Sequence, residues 1–493
     1  MEHITEIISN NRQWLKQVCE KHPEIRQIRE EFYQKIKKEH GPFNRPMIVT
    51  GHQPVIYYPG LLFKDYFVGE TAASEEGSAW NIIVDTDEAQ MDIPVPVYNH
   101  GEWQKTRIQI PNETGKAFTA FNPGREEAEK FLQSIESALA SHPQKNIPES
   151  FQKFKSNFYQ LLEEGHSFID ALSLLRKKFD ATLGYTITDH KISKLIRSYP
   201  YWHFVWYIIK NLDHYTEAYN EAVKQGKRKE YQPVRFLNRH GGWHELPFWL
   251  EKEGRRLPVM MLKDDHHLVF RAEDEGTEVQ LSVAEKNEPS IVRELRDSLV
   301  LYPKATTLTQ IIRLFLSDVF VHGKGAVEYE NINNLFLKNF FQMDRNLAFY
   351  SVTGDIYLPL KENLPEYQSL QASYQQKKKQ LKEMKRNPED HLADGLAESF
   401  KQKKKELARQ MSQEDNPQKR KAIHEKLEQL DDEMIGHLSQ DMEQLNNELR
   451  QYDELLKKKK VYYERTYPYF LYPEGYLTKQ RFEENLKLHK TPQ

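Results

Sequence analysis

With 493 residues, 29% of them charged and a net charge of −3, the chain is long enough for one large or two to three ordinary domains, and its charge balance excludes a strongly basic nucleic-acid binder. Its single cysteine, Cys19, excludes an intrachain disulfide and a cysteine-built zinc site, which fits a reducing cytoplasm. The amino terminus is charged rather than apolar, and the most apolar run, 201–209, is too short to span a bilayer; a soluble, cytoplasmic protein is expected, with neither membrane nor nucleic acid as partner.

Residues 1–40 read as a helix, with Ile4, Ile7, Ile8, Trp14, Leu15 and Val18 at helical spacings. Next comes the apolar run Met47-Ile48-Val49-Thr50, which ends in Gly51-His52-Gln53-Pro54. Pro59-Gly60 then opens a helical segment to about residue 74, and Trp80-Asn81-Ile82-Ile83-Val84 ends in Asp85-Thr86-Asp87. That order predicts one βαβ unit with two parallel strands. Ligands of open α/β sheets bind outside the carboxyl ends of the strands, so His52, Gln53, Asp85 and Asp87 are expected to meet in one crevice. The turn's N–H groups and the helix start favour an anion. Lys64, a turn into that helix, could reach it or lie in solvent, and His52 could supply a proton. Asp85 and Asp87 would share a face of an extended strand and could bind a metal, hold a ribose hydroxyl or orient an amine. A turn or a helix cap suits the same two residues equally.

Pro94, Pro96 and 106–110 point to short strands near the sheet. Residues 125–225 read as helical, broken by Pro143, Pro148 and Pro200, and 231–285 as β structure. Within it, Asp264-Asp265-His266-His267 lies between two apolar runs, which reads as a hairpin turn rather than a metal site. Residues 289–300 look helical. Residues 306–321 form an apolar run expected to be a helix that stops at His322-Gly323-Lys324-Gly325. Arg313 and Asp318 inside it need partners. The glycine loop is not a Walker A motif, but its N–H groups and Lys324 can face an anion. Glu328-Tyr329 could supply a carboxylate base and a phenol; a buried hydrogen bond is the plainer alternative.

From about residue 364 the chain is charged and helical. Asn387-Pro388 and Asn416-Pro417 read as helix restarts. Leu427, Leu430, Met434, Leu438, Met442, Leu445, Leu449, Tyr452 and Leu456 form a seam at coiled-coil spacing, with a discontinuity where fours follow each other at 434–442. A weaker stripe precedes it (Leu370, Tyr374, Leu381, Leu392, Leu396, Phe400, Leu407 and Met411), so 363–462 is expected to be an antiparallel coiled-coil hairpin. The aromatic segment that follows, within 463–493, should return to a core formed by 1–362, since its apolar area would otherwise face water. The lysine runs at 377–379, 403–405 and 457–460 are expected to be solvated faces.

Taken in this order, three places resemble the bacillithiol-biosynthesis cysteine-adding enzymes and their relatives (the BshC-like superfamily). They are Val49-Thr50-Gly51-His52-Gln53-Pro54 with Pro59-Gly60 and Lys64; the strand ending at Asp85-Thr86-Asp87-Glu88; and Thr306-Thr307-Leu308 through Arg313, Asp318, His322-Gly323 and Glu328-Tyr329. Glu245-Leu246-Pro247-Phe248-Trp249 with Arg255-Arg256 is a weaker fourth. The resemblance implies an α/β fold: a Rossmann-like core with a mainly parallel sheet, helical additions at about 125–225 and the inserted coiled coil. It also implies a ligase or transferase that joins a cysteine-like nucleophile to an acid or sugar-linked substrate, with a nucleotide as candidate cofactor. His52, Asp85, Asp87 and Glu328 would be catalytic. Gly51, Gln53, Lys64, Arg313, His322, Gly323, Lys324 and Tyr329 would bind substrate, and no metal is expected. The chain departs from the pattern where the family looks like Glu-Asp-His-Asp (here Asp85-Thr86-Asp87-Glu88) and Gly-Pro-Gly-Glu (here His322-Gly323-Lys324-Gly325). The rivals are a non-catalytic scaffold that dimerises through the coiled coil and a nucleotidyltransferase-like enzyme.

Overall fold

The computed structural model describes residues 2–112, 115–226, 234–273, 276–360, 367–414 and 416–490. The boundary expected at 362–363 and the start of the β region at 231–233 lie outside them. The chain divides into two compact units: Met1–Val97, Thr106–Ile356 and Arg465–Gln493 in one, Tyr98–Lys105 and Tyr357–Glu464 in the other.

The first unit is mixed α/β. Its central sheet has the order Leu486–Lys490, Tyr350–Gly354, Val319–Gly323, Met47–His52, Ser78–Ile83, Thr188–Lys191. Neighbours are parallel except at the Leu486–Lys490 edge, which runs antiparallel. The βαβ expectation is met. Met47–His52 and Ser78–Ile83 pair in parallel, and between them runs helix Pro59–Ser74, with Pro59 in the first turn where its missing N–H leaves no bond unmade. This helix packs on both strands and on Tyr350–Gly354. Gly69 admits the Tyr185 ring, which an added Cβ would meet at 2.5 Å. Gly69→Ala is therefore expected to cost ~1–3 kcal/mol by overpacking, read as a lower urea midpoint. An unchanged midpoint would mean that the ring moves aside freely.

On the other side Met47, Val49, Trp80 and Ile82 share one buried cluster with Phe32, Ile36, Phe204 and Phe315. The single helix expected over 1–40 is two, Glu2–Lys21 and Pro23–His40. His22 between them leaves helical geometry, and Pro23 restarts the second. The 125–225 region is largely helical, but it hides the edge strand Thr188–Lys191, whose residues are too polar and too few to show an alternating pattern. Pro148 and Pro200 lie in first turns of helices Asn146–Glu163 and Tyr199–Lys210 rather than breaking them.

The largest correction falls on 306–321. Helix Ala305–Ile311 loosens into a π turn, Ile312–Leu316, and the run then becomes the strand Val319–Gly323 beside Met47–His52. A parallel strand buried on both faces reads as a continuous apolar run, as a buried helix does. Gly323 therefore ends a strand, not a helix. Asp318, just before the strand, accepts the Met47 N–H at 2.8 Å and pairs with Arg12 at 3.2 Å.

A second sheet, antiparallel, has the order Glu278–Ser282, His267–Ala272, Arg255–Lys263, Trp243–Lys252, Leu301–Pro303, with Arg239–His240 paired to Trp243–Lys252. The hairpin expected around Asp264 is there: its carboxylate accepts the N–H groups of His266 at 2.7 Å and His267 at 2.6 Å. Helix Glu288–Ser298 follows. Met91–Asn99 and Glu102–Ile110 pair with each other as a separate two-stranded sheet. The aromatic segment after residue 464 is buried in this unit. Phe470 stacks on Phe154 at 3.9 Å, and Tyr472 donates to Ile356 O at 2.8 Å. No helix among the described residues is long and apolar enough to cross a membrane.

The second unit is a helical hairpin. Tyr367–Arg386 packs on Ser439–Lys459, and Asp394–Gln413 packs on Pro417–His437. Lys377 pairs with Glu448 and Lys404 with Asp431, so numbers rise along one arm as they fall along the other. Met384 is buried with Leu438, Met442 and Leu445, and Phe400 with Leu430 and Met434. The middle of the apolar stripe is thus filled within this unit. The continuous helix expected from 423 breaks at Leu438, inside the stretch of consecutive fours. Asn416 caps its helix through Gln418 N and Lys419 N. Asn387 makes no such bond: only a short 3-10 turn, Pro388–Asp390, follows, and the helix starts at Asp394.

Candidate functional site

Met47–His52 and Val319–Gly323 are neighbours at the centre of the sheet, and the chain leaves them toward opposite edges. Such a reversal is where ligands sit in open α/β sheets. His52 ends the first strand, and its Nδ1 lies 3.1 Å from Gln53 O. A carbonyl only accepts, so Nδ1 carries the proton and Nε2 is left as an acceptor. Burial, and then the Lys64 charge, push His52 down to about 3, so the ring is neutral. Gly51 is packed against the next strand, where a Cβ would stand 3.1 Å from Ile82 O.

Lys64 is buried, 4% exposed, and its Nζ donates to Gly51 O at 2.9 Å. Burial lowers it to about 8. Its Cδ is 3.9 Å from where a Gly323 Cβ would stand, so the lysine bridges the ends of both strands. His322, on the second strand, is 7% exposed and is pushed below its ordinary value by burial. Tyr329 OH lies 3.4 Å from its Nδ1, and Glu330 Oε1 lies 3.1 Å from its Nε2. Those last two atoms are buried and not aligned for a hydrogen bond, and neither has another partner. Glu330 Oε2 accepts from Arg313 Nη1 at 2.7 Å. Arg313 also donates to Asn334 Oδ1 and Leu347 O. Burial alone would raise Glu330, but His322 and Arg313 outweigh it and hold the carboxylate at about 2. With His322 neutral, Arg313 is the fixed cation.

The expected convergence of both aspartates does not occur. The strand ends at Ile83, and Asp85 to Asp87 lie in a turn, so the two side chains do not share a face. Asp85 is buried and accepts from Ser193 N at 2.9 Å and Ser193 Oγ at 2.5 Å, tying down the turn Ile192–Leu195; burial raises its pKa. Asp87 does meet Gln53, which donates to its Oδ2, while Arg256 donates to Oδ1. Arg313 lies away from solvent, held by Glu330 and Asn334. Lys324 is exposed at the start of a short 3-10 turn, and Glu328 is half-buried.

Glu330 and Arg256 are the residues that sequence reasoning missed. Glu330 could have been found by periodicity: Glu330, Asn333, Asn334 and Leu337 form the buried face of helix Val327–Phe340, and Glu328 falls off it. A buried ionic cluster adjoins Lys64. Asp65 and Asp180 both accept from Arg176 Nη1 at 2.7 Å, and Asp189 accepts from Nη2 at 2.5 Å. A separate cleft of about 690 Å³ at the Thr188–Lys191 edge is lined by Lys35, Lys177, Lys191 and Lys194; the first three are paired with Glu39, Asp189 and Asp170. Among the described residues no three of His, Cys, Asp and Glu stand where they could hold one metal ion. No protein-family model matches the chain, and a search of curated proteins finds no similar sequence.

Proposed function

We propose that this chain is an enzyme of the ligase or transferase type with a Rossmann-like core, joining a cysteine-like nucleophile to an anionic acid or sugar-linked substrate. The observation that carries the proposal is Lys64: a buried, still cationic amine between the ends of two central strands, flanked by two neutral histidines. Keeping a charge there is costly unless an anionic ligand uses it. The strand order, taken along the sequence, is that of doubly wound nucleotide-binding sheets, with an antiparallel last strand as the departure. Lys64 would hold the substrate's anionic group. His52, through its free Nε2, would accept a hydrogen bond from the nucleophile's S–H or N–H, and Asp87 and Arg256 fix the Gln53 side of the turn.

A thermal-shift and calorimetric screen of cysteine and other amino acids, sugar–malate conjugates, ATP and ADP tests this. One class should stabilise the wild type, by ~2.7 kcal/mol at a hundred times Kd. His52→Ala should lose that stabilisation while keeping its circular dichroism. No response from any class, or wild-type affinity in His52→Ala, overturns the proposal.

A further inference from the structure

We propose that Tyr329, His322 and Glu330 form the proton relay of this site, with Arg313 as the residue that positions Glu330. The inference deepens the reading of the site as catalytic and rests on it. Three distances carry it: 3.4 Å from Tyr329 OH to His322 Nδ1, 3.1 Å from His322 Nε2 to Glu330 Oε1, and 2.7 Å from Glu330 Oε2 to Arg313 Nη1. The tautomer follows from chemistry. A phenol is the donor available to Nδ1, and an ionised carboxylate only accepts, so the ring proton belongs on Nε2. His322 Nε2 and Glu330 Oε1 are both buried, 3.1 Å apart and otherwise unpartnered, so a small rotation that aligns them satisfies both. Long contacts of this kind commonly tighten when a substrate binds.

Two histidines face the site, and the charges around them decide which one takes the proton. His52 has Lys64 beside it, so a second positive charge there is opposed. His322 also feels Lys64 and Arg313, but it faces the Glu330 carboxylate, which favours the imidazolium. In the step itself the nucleophile's S–H or N–H bond breaks and its electron pair stays on S or N. The proton passes to Tyr329 O as the Tyr329 O–H proton passes to His322 Nδ1. The phenol is restored and the imidazolium stands against Glu330. The freed electron pair forms the bond to a substrate acyl carbon that a nucleoside triphosphate has activated as an acyl phosphate, the C–O bond to phosphate breaks, and the reverse transfer delivers the proton to the departing phosphate oxygen. Tyr329 is the catalytic residue of the relay because it is half-buried while His322 and Glu330 are buried, so of the three it is the one a substrate can reach. His322, Glu330 and Arg313 act through it. Burial, and then Glu330, keep the Tyr329 phenol from ionising by itself.

Two-bond ¹H–¹⁵N correlation spectra of the full chain, with His322 assigned through His322→Gln, test the relay without substrate. The Nε2–H tautomer is expected at pH 7.5. In Glu330→Gln the pKa of His322 should fall by about one unit or more, which moves the acid limb of the pH–rate profile to lower pH. An Nδ1–H tautomer, or identical titration in Glu330→Gln, overturns the relay. Should Glu330→Gln not fold, Tyr329→Phe serves: without the phenol donor the Nε2–H preference should weaken, and an unchanged tautomer ratio overturns it. With cysteine, a sugar–malate conjugate and ATP as substrates, Tyr329→Phe should lower kcat about 10²-fold at unchanged Kd for the conjugate. Wild-type kcat in that variant overturns the relay. A wild type that makes no product overturns the proposed reaction instead, and the spectra then decide the relay alone.

Discussion

Arg176→Met should destabilise the chain by ~3–5 kcal/mol near neutral pH, because it strips the cation from a buried cluster of three carboxylates. Arg176 is 2% exposed and holds Asp65, Asp180 and Asp189 together. Methionine keeps the volume and leaves Asp65 and Asp180 without the cation that bonds them, while Asp189 keeps Lys177 at 3.2 Å. The cluster also has a pH signature. Burial, against the pull of Arg176, raises Asp180 to about 7 from the ordinary 3.8, and Asp65 is raised for the same reason. Between 3.8 and about 7 the folded chain holds a proton that the unfolded chain has released, so this contribution to stability falls as pH rises through the window. Asp180→Asn should flatten that fall. Arg176→Met should cost less at pH 5 than at pH 8, since protonated carboxylates need no cation. Urea unfolding of the three proteins at the two pH values measures both effects. An equal cost at both pH values would rule out ionised carboxylates as its source.

Lys64→Met is expected to do two opposite things: stabilise the fold and abolish binding of the anionic ligand. Lys64 is nearly solvent-free, and burial brings it from 10.5 to about 8. Below about 8 the folded chain bears a buried ammonium, and its removal should gain on the order of 1–3 kcal/mol. Between about 8 and 10.5 the unfolded lysine is protonated while the folded one is not. Wild-type stability should therefore rise with pH across that window relative to Lys64→Met. A residue that weakens the fold yet is needed for a ligand is the usual mark of a working site. A variant that is both less stable than wild type and unimpaired in ligand binding would make Lys64 a structural lysine.

The parts of the fold that could be read in advance are those whose signals are local. Met47–His52, Pro59–Ser74 and Ser78–Ile83 are each punctuated by Gly or Pro and by a change in apolar period, so the βαβ unit emerges from neighbouring residues alone. The hairpin at Asp264 and the cap at Asn416 are local in the same way. Residues 306–321 are not. Nothing within that run distinguishes a buried helix from a buried strand. Contact with Met47–His52, more than 250 residues earlier, is what makes Val319–Gly323 extended. The edge strand Thr188–Lys191 likewise exists because Ser78–Ile83 offers it a ladder.

The site divides along the same line. That His52, Gln53 and Lys64 cluster around a strand end follows from neighbouring residues alone, because strand, turn and helix start are contiguous. Which distant groups join them depends on the packing of elements far apart in the chain. That packing sent Asp85 to Ser193, added Arg256 to the expected meeting of Asp87 with Gln53, and put Glu330 rather than Glu328 beside His322. Burial makes the choice. A charged group removed from water must find a partner, and that partner is chosen by which helix face or strand end packs against it, not by its distance along the chain.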